Sequence, residues 1–211
     1  MRVLVLISVL FITFIGSAYS DETKQNAGEL YLIVSNAHLI DDISYKEKEA
    51  YIAVIEVPAG TSAKWEVNHE TGNLEWEFKN GKPRYVQFLG YPGNYGYIPQ
   101  TKMDDGDSLD IIVLDSAVKS GTIQKVKVIG VLALKDKNIR DDKILAVPFT
   151  GPFAKIDGLC EMMVKFPGVI EIVKVWFQGY KGDKIQFVGY KKKKQAYKLI
   201  EAAHNKWALT K

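Results

Sequence analysis

Residues 104–115 read Asp104-Asp105-Gly106-Asp107-Ser108-Leu109-Asp110-Ile111-Ile112-Val113-Leu114-Asp115. Four carboxylates, Asp104, Asp105, Asp107 and Asp110, crowd into seven positions directly before the apolar run Ile111 to Leu114. That run is β-branched enough to be a buried strand. Like charges this close repel and raise one another's pKa, so the cluster is comfortable only when solvated or neutralised by cations. Carboxylate oxygens are hard ligands and point to magnesium, manganese or calcium rather than zinc. An EF-hand does not fit. Counting from Asp105, loop positions five, six and twelve are Leu109, Asp110 and Ser116, so a ligand, the turn glycine and the closing glutamate are missing. Taken alone, the cluster also reads as a solvated acidic turn ahead of a strand.

Immediately upstream, Tyr91-Pro92-Gly93-Asn94-Tyr95-Gly96-Tyr97-Ile98-Pro99 sets tyrosines among turn residues. It predicts a bent, extended backbone that presents phenol hydroxyls to a cleft, or else a rigid connection with tyrosines as core filler. Ala50 to Val57 reads as a buried strand whose one charge is Glu56. A carboxylate there is costly unless paired or metal-bound, or unless it faces water from an edge strand. Lys64-Trp65-Glu66-Val67 alternates, so Lys64 and Glu66 share one strand face. Glu70-Thr71-Gly72-Asn73 predicts a hairpin turn, Leu74 to Phe78 a strand, and Asn80-Gly81-Lys82-Pro83 a second turn, after which Arg84 opens a new segment. Asp21 to Lys48 is mixed and polar, as an arm or edge segment would be.

Downstream, Val126 to Leu134 predicts a strand and Lys135 to Lys143 a dense mixed-charge loop, a second acidic cluster set against the strand from Ile144 to Pro148. Val169, Ile172, Val173 and Trp176 recur at helical spacing, with Pro167 in the first turn. Ala196, Leu199, Ile200, Ala203 and Trp207 mark a second helix, and Ile185 to Val188 a strand between the two. Lys191 to Lys194 offers charge to attract an anion, and reads first as a solvated lead into that helix. Cys160, the single cysteine, excludes an internal disulfide framework and is expected to be a small buried core residue. His38, His69 and His204 lack partners at metal-ligand spacing and receive no role. Many short strands followed by late helices predict an α+β fold, a small closed antiparallel, OB-like β-barrel with helices packed on one side.

The composition, 47% hydrophobic and 25% charged over 211 residues, belongs to a soluble globular chain and excludes disorder. Residues 1–20 stand apart. Arg2 precedes an apolar run from Val3 to Ile15, and Ala18-Tyr19-Ser20 offers small residues before Asp21. This predicts a signal peptide over 1–20, cleaved to leave 21–211 as one domain, exported to the periplasm or secreted and free of the membrane after cleavage. An uncleaved anchor is the alternative. The formal net charge of +3 loses one unit if Arg2 is removed, so no global field demands nucleic acid or an anionic membrane.

Six separated motifs occur in order: Glu56 in Val-Ile-Glu-Val-Pro; Lys64 with Glu66; Tyr-Pro-Gly-Asn-Tyr-Gly-Tyr; Asp-Gly-Asp-Ser-Leu-Asp; Asp136 with Asp141 and Lys143; and Tyr180-Lys181. From about Tyr51 to the end, the chain resembles family I soluble inorganic pyrophosphatase. Ser108 departs from the usual signature, which has proline or glutamate there, and removes no ligand. The resemblance implies hydrolysis of inorganic pyrophosphate to two phosphates by a metal-activated water. Asp105, Asp110 and Asp141 would hold the first metal, with Asp110 bridging to a second, and Asp136 and Glu56 would serve further ions. Lys64, Arg84, Lys143, Tyr180 and Lys181 would grip phosphate oxygens. Tyr95 would hydrogen-bond near the metals, Asp107 would orient or deprotonate the attacking water, and Glu66 and Tyr91 would support these groups. Two or more Mg2+ ions are implied, with Mn2+ or Zn2+ as substitutes, in a homohexamer. Segregated acids and bases suit such chemistry, since both phosphates need neutralising and the leaving phosphate needs cations.

Two readings of other classes stand beside it. A small barrel could bind single-stranded nucleic acid on Tyr91, Tyr95 and Tyr97 near Lys102, but the acidic turn would repel phosphate unless metals intervene. An exported calcium-binding module without catalysis would leave the basic set dispensable.

Overall fold

The computed structural model describes residues 31–211, and the expected signal segment lies outside the described residues. In chain order the strands are β1 (Leu32–Ile33), β2 (Lys46–Glu47), β3 (Ala50–Val57), β4 (Trp65–Val67), β5 (Leu74–Trp76), β6 (Phe78–Lys79), β7 (Lys82–Pro83), β8 (Asn94–Ile98), β9 (Leu109–Val113), β10 (Ile123–Asp136), β11 (Ile139–Arg140), β12 (Lys143–Pro148) and β13 (Ile185–Lys192). The helices α1 (Leu159–Lys165), α2 (Val169–Gly179) and α3 (Lys193–Ala208) come late, which makes the fold α+β. Among the described residues no helix is long and apolar enough to cross a membrane.

The main sheet runs β11-β10-β12-β9-β8-β3-β2, and β13 joins at β10. β10 is 14 residues long and shifts register between Val128 and Gly130. Its start, Ile123–Val126, pairs with Tyr51–Val54 of β3, while the rest pairs with β12 and β13. The all-antiparallel expectation is corrected at one place: β9 and β12 are parallel, with Ile111 opposite Ile144. The chain leaves β9, runs out along β10 and returns as β12, so β12 re-enters in the direction of β9. Parallel strands are usually covered on both faces and read as unbroken apolar runs. Ile111–Val113 and Ile144–Val147 are accordingly all fully buried.

Alternation along those two strands also corrects the expectation that the helices share one side. Ile112, Leu145 and Val147 join a core with Met162 of α1 and Val173 and Trp176 of α2. Ile111, Val113, Ile144 and Ala146 join a separate core with Leu199, Ile200 and Ala203 of α3. Successive strand residues point to opposite faces, so helices cover both.

Glu56 sits 6% exposed on β3, which is paired with β10 on one edge and with β8 and β2 on the other. The edge-strand reading therefore fails. A register shift between Ile55 and Val57 in the pairing to β8 falls at Glu56, the kind of bulge that re-aims a side chain. Across from it, a Cβ on Gly96 would stand 1.8 Å from the Val54 carbonyl oxygen, so β3 and β8 close up only over glycine.

Three local expectations change. Residues 135–143 are not a loop: Lys135 pairs with Arg140 and Asp136 with Ile139, and Lys137 and Asn138 turn the hairpin at φ 50° and 68°. Cys160 is exposed, because Leu159 and Met162 of the short α1 take the buried face. Lys191 and Lys192 end β13 and Lys193 starts α3, so the lysine run is structured rather than a lead.

Candidate active site

The bend at residues 103–110 is made by its backbone. Met103 N–H donates to the Asp107 carbonyl at 2.7 Å and Gly106 N–H to the Met103 carbonyl at 3.3 Å, with Gly106 at φ 99°. The turn sorts its four aspartates. Asp104 is drawn toward α3 by Lys206 at 2.7 Å, while Asp105, Asp107 and Asp110 face a cleft of about 480 Å3. All fourteen residues to which the sequence attaches a role line that one cleft. β3 carries Glu56, β4 carries Glu66 with Lys64 just before it, and Arg84 follows β7. Tyr95 lies on β8 with Tyr91 ahead of it, and Asp110 lies on β9. Asp136 ends β10, Asp141 lies between β11 and β12, Lys143 opens β12, and Tyr180 and Lys181 follow α2.

Charge alternates across the cleft. The Lys143 ammonium, 2% exposed on its residue, lies between Asp110 and Asp141, at 2.5 Å from Asp141 Oδ1. Burial works against that charge, yet Asp110 and Asp141 outweigh it and hold its pKa above the ordinary lysine value. Lys64 meets Glu66 at 2.8 Å and Lys181 meets Asp136 at 2.7 Å. Tyr95 donates to Asp110 Oδ1 at 2.9 Å. Its hydroxyl is held well above its ordinary pKa by burial and by Asp110, so it remains a donor. Burial pushes the Glu56 carboxyl up to about 8 against the opposing pull of Lys64. Asp107 stands at the mouth with its side chain 77% exposed. Desolvation there, then Asp105, raise its pKa, with His69 opposing.

Arg84 reaches the cleft, but its guanidinium is clasped by Glu77 at 2.5 and 2.6 Å. Its carbonyl accepts from Lys64 N–H at 3.0 Å and Trp76 Nε1 at 2.8 Å, which pins its register to Lys64. The cleft also contains residues given no role by sequence. His69 Nε2 is 3.8 Å from Asp107 Oδ1, and Arg140 and the buried Asp142 stand beside Asp141. No spacing signal finds His69, because the hairpin joining β4 to β5 brings it to the acidic turn. Asp142 was visible as part of the second acidic cluster.

Among the described residues, no three acidic or imidazole groups already stand at metal-binding spacing. The donor chemistry nonetheless fits hard divalent cations. The donors are carboxylate oxygens, and Asp136 Oδ1 is buried without a hydrogen-bond partner. Tyr91 and Tyr97 are buried, 3% and 2% exposed, so they offer no stacking platform to nucleic-acid bases.

The fold is OB-like and α+β, with one cleft lined by acidic and basic side chains together. Residues 53–208 match the family model for inorganic pyrophosphatase, and the chain belongs to that family. It is 33% identical over 184 residues to an inorganic pyrophosphatase of Drosophila melanogaster, covering 78% of this chain and 54% of that one. The chain thus spans about half the length of that relative. The inorganic pyrophosphatase of Schistosoma japonicum superposes with a TM-score of 0.75 at 26% identity, over 83% of this chain and 74% of the other. An N-terminally truncated vacuolar soluble pyrophosphatase of Trypanosoma cruzi, solved in complex with PPi, gives 0.71 at 26% identity, over 86% and 76%.

Proposed function

We propose that this cleft hydrolyses inorganic pyrophosphate to two phosphates. The observation that carries the reading is the convergence of all fourteen residues on one cleft in which every assigned lysine faces a carboxylate. Membership of the family and the likeness to the PPi-bound Trypanosoma cruzi structure support it. Lys64, Arg84, Lys143, Tyr180 and Lys181 bind the phosphate oxygens and orient the anhydride, with Tyr95, Glu66 and Tyr91 holding their neighbours in place. Asp107, at the open mouth, orients the attacking water and takes its proton. Asp105, Asp110, Asp141, Asp136 and Glu56 hold two or more magnesium ions, with manganese or zinc as substitutes. When bound, such ions supply charge neutralisation and acidify water. Lys143, which pairs with Asp110 and Asp141, would exchange those partners for phosphate oxygens.

The path of pairings from β3 through β8, β9 and β12 to β10, which pairs again with β3, supports a small OB-like barrel. Residues 21–211 form one domain, exported after cleavage behind Ser20 or held by an uncleaved segment. Self-association into a homohexamer is supported by the outer face of α2, where Ile172 and Val175 are 62% and 59% exposed on a helix already apolar toward the core. The nucleic-acid and calcium-module readings are not favoured. The deciding experiment measures phosphate release from pyrophosphate by the purified protein with and without magnesium. Absence of release at any magnesium concentration overturns the reading.

A further inference from the structure

The turn that aims Asp105 and Asp107 into the cleft is weakly held at its own tip. A Cβ on Gly106 would meet nothing within 4 Å, so no neighbour packs against the bend. The bond that closes it, from Gly106 N–H to the Met103 carbonyl, is 3.3 Å long, beyond the usual range of about 2.7–3.2 Å. The support comes from α3. His204 Nδ1 lies 2.8 Å from the Gln100 carbonyl, Lys102 N–H donates to the Ala203 carbonyl at 2.9 Å, and Lys206 Nζ donates to the Met103 carbonyl at 2.9 Å. The last of these stands nearest the carboxylates and is made by an ammonium, the stronger kind of donor. From Met103 the bonds run inward. Its N–H donates to the Asp107 carbonyl at 2.7 Å, and Asp107 N–H donates to Asp105 Oδ1 at 3.2 Å. Lys206 also meets Asp104 at 2.7 Å, but that side chain is 83% exposed, and an ion pair so solvated contributes little. The grip on the Met103 backbone is the stronger claim on the ammonium.

We propose that Lys206 is a positioning residue for the reaction, holding the Met103 carbonyl so that Asp105 and Asp107 keep their aim into the cleft. This rests on the pyrophosphate reading for the role of Asp107, and on the fit of the carboxylates to divalent cations for that of Asp105. Lys206 touches neither substrate nor metal and acts through the turn. A group that orients a metal ligand is typically worth about ten- to hundredfold in metal affinity or activity. Lys64, Arg84, Lys143, Tyr180 and Lys181, which grip phosphate, stand on other elements. Loss of Lys206 should therefore reach metal affinity and kcat while leaving KM for pyrophosphate as it was.

The test compares the full-length protein with Lys206→Met, Lys206→Arg and Asp104→Asn. Titration calorimetry reads manganese binding to the substrate-free protein, and steady-state kinetics at saturating magnesium reads kcat and KM. Lys206→Met should raise the manganese Kd and lower kcat, each about tenfold or more, with KM unchanged. Its thermal midpoint should stay within about 4 °C of the native value, since the lysine is part-exposed and the fold does not depend on it. Lys206→Arg keeps donors for both oxygens and should recover most of each loss. Asp104→Asn keeps the bond to the Met103 carbonyl and should behave as the native protein. An unchanged Kd in Lys206→Met overturns the inference, as does an equal loss in Asp104→Asn, which would place the effect in the ion pair. A loss that arginine does not recover and that follows a large drop in thermal midpoint marks a structural role and overturns it too. If the native protein releases no phosphate, the pyrophosphate reading falls, and the calorimetric comparison still decides whether Lys206 orients the acidic turn.

Discussion

Val67 N–H donates to Glu56 Oε1 at 2.9 Å, tying the buried carboxylate of β3 to β4 and to the segment that carries Lys64 and Glu66. Burial lifts that carboxyl to about 8 from an ordinary 4.5. Below pH 4.5 folded and unfolded chains both keep the proton, so no penalty arises. Between 4.5 and 8 the unfolded chain releases it and the folded chain does not, so stability from this group falls as pH rises. In chelator, the unfolding free energy from urea titration should drop across that window with a slope of at most ~1.4 kcal/mol per pH unit. Glu56→Gln keeps the acceptor for Val67 and should flatten the slope, and an equally steep loss in the variant would refute this account.

Chelation should abolish hydrolysis and magnesium should restore it, because the acidic side chains of the cleft cannot approach a polyanion unneutralised. Calcium should inhibit, since its larger and looser coordination sphere misplaces the attacking water. Full turnover of pyrophosphate in chelator would remove the metal-dependent reading.

Asp107 and Asp110 differ in setting and should differ in effect. Asp107 is exposed at the mouth, whereas Asp110 accepts from Tyr95 and faces Lys143 inside. Asp107→Asn should lower turnover by about a hundredfold to ten-thousandfold, the usual contribution of a positioned base, with metal affinity nearly intact. Asp110→Asn should weaken metal binding as well. Metal titration beside steady-state kinetics separates them. An Asp107→Asn protein restored to full rate by high magnesium would make Asp107 a ligand rather than the base.

Gly96→Ala tests the closure of β3 on β8. Its Cβ meets the Val54 carbonyl oxygen at 1.8 Å, a contact with backbone that cannot swing away. Overpacking of this kind costs about 1–3 kcal/mol or more, so the denaturation midpoint should fall accordingly. An unchanged midpoint would mean that the two strands separate at little cost.

Export predicts a new N-terminus at Asp21. Mass spectrometry of protein recovered from cells producing the full chain should find it, and an intact Met1 on soluble cytosolic protein would exclude cleavage.

The sequence by itself determined much of this protein. β3 from Ala50 to Val57, the apolar runs Ile111 to Leu114 and Ile144 to Pro148, and the stripe of α3 were legible, because burial on one or two faces imposes a period on the residues themselves, whereas α2 buries Ile170 and Phe177 beside Val173 and Trp176 and leaves Ile172 exposed. The fourteen candidate residues were legible because their motifs recur in a fixed order. Tertiary structure decided what periodicity does not encode. It set the direction of β12 against β9, since alternation is the same for parallel and antiparallel neighbours. It put α1 and α2 on one face and α3 on the other, because a stripe says that a helix is covered and not by what. It turned Asp104 out to Lys206 while Asp105, Asp107 and Asp110 turned in, a division among adjacent like residues that only the backbone turn can make. It also brought His69 to Asp107 and Arg140 to the cleft, contacts between side chains far apart in sequence or lost within a charged run, which no local pattern records.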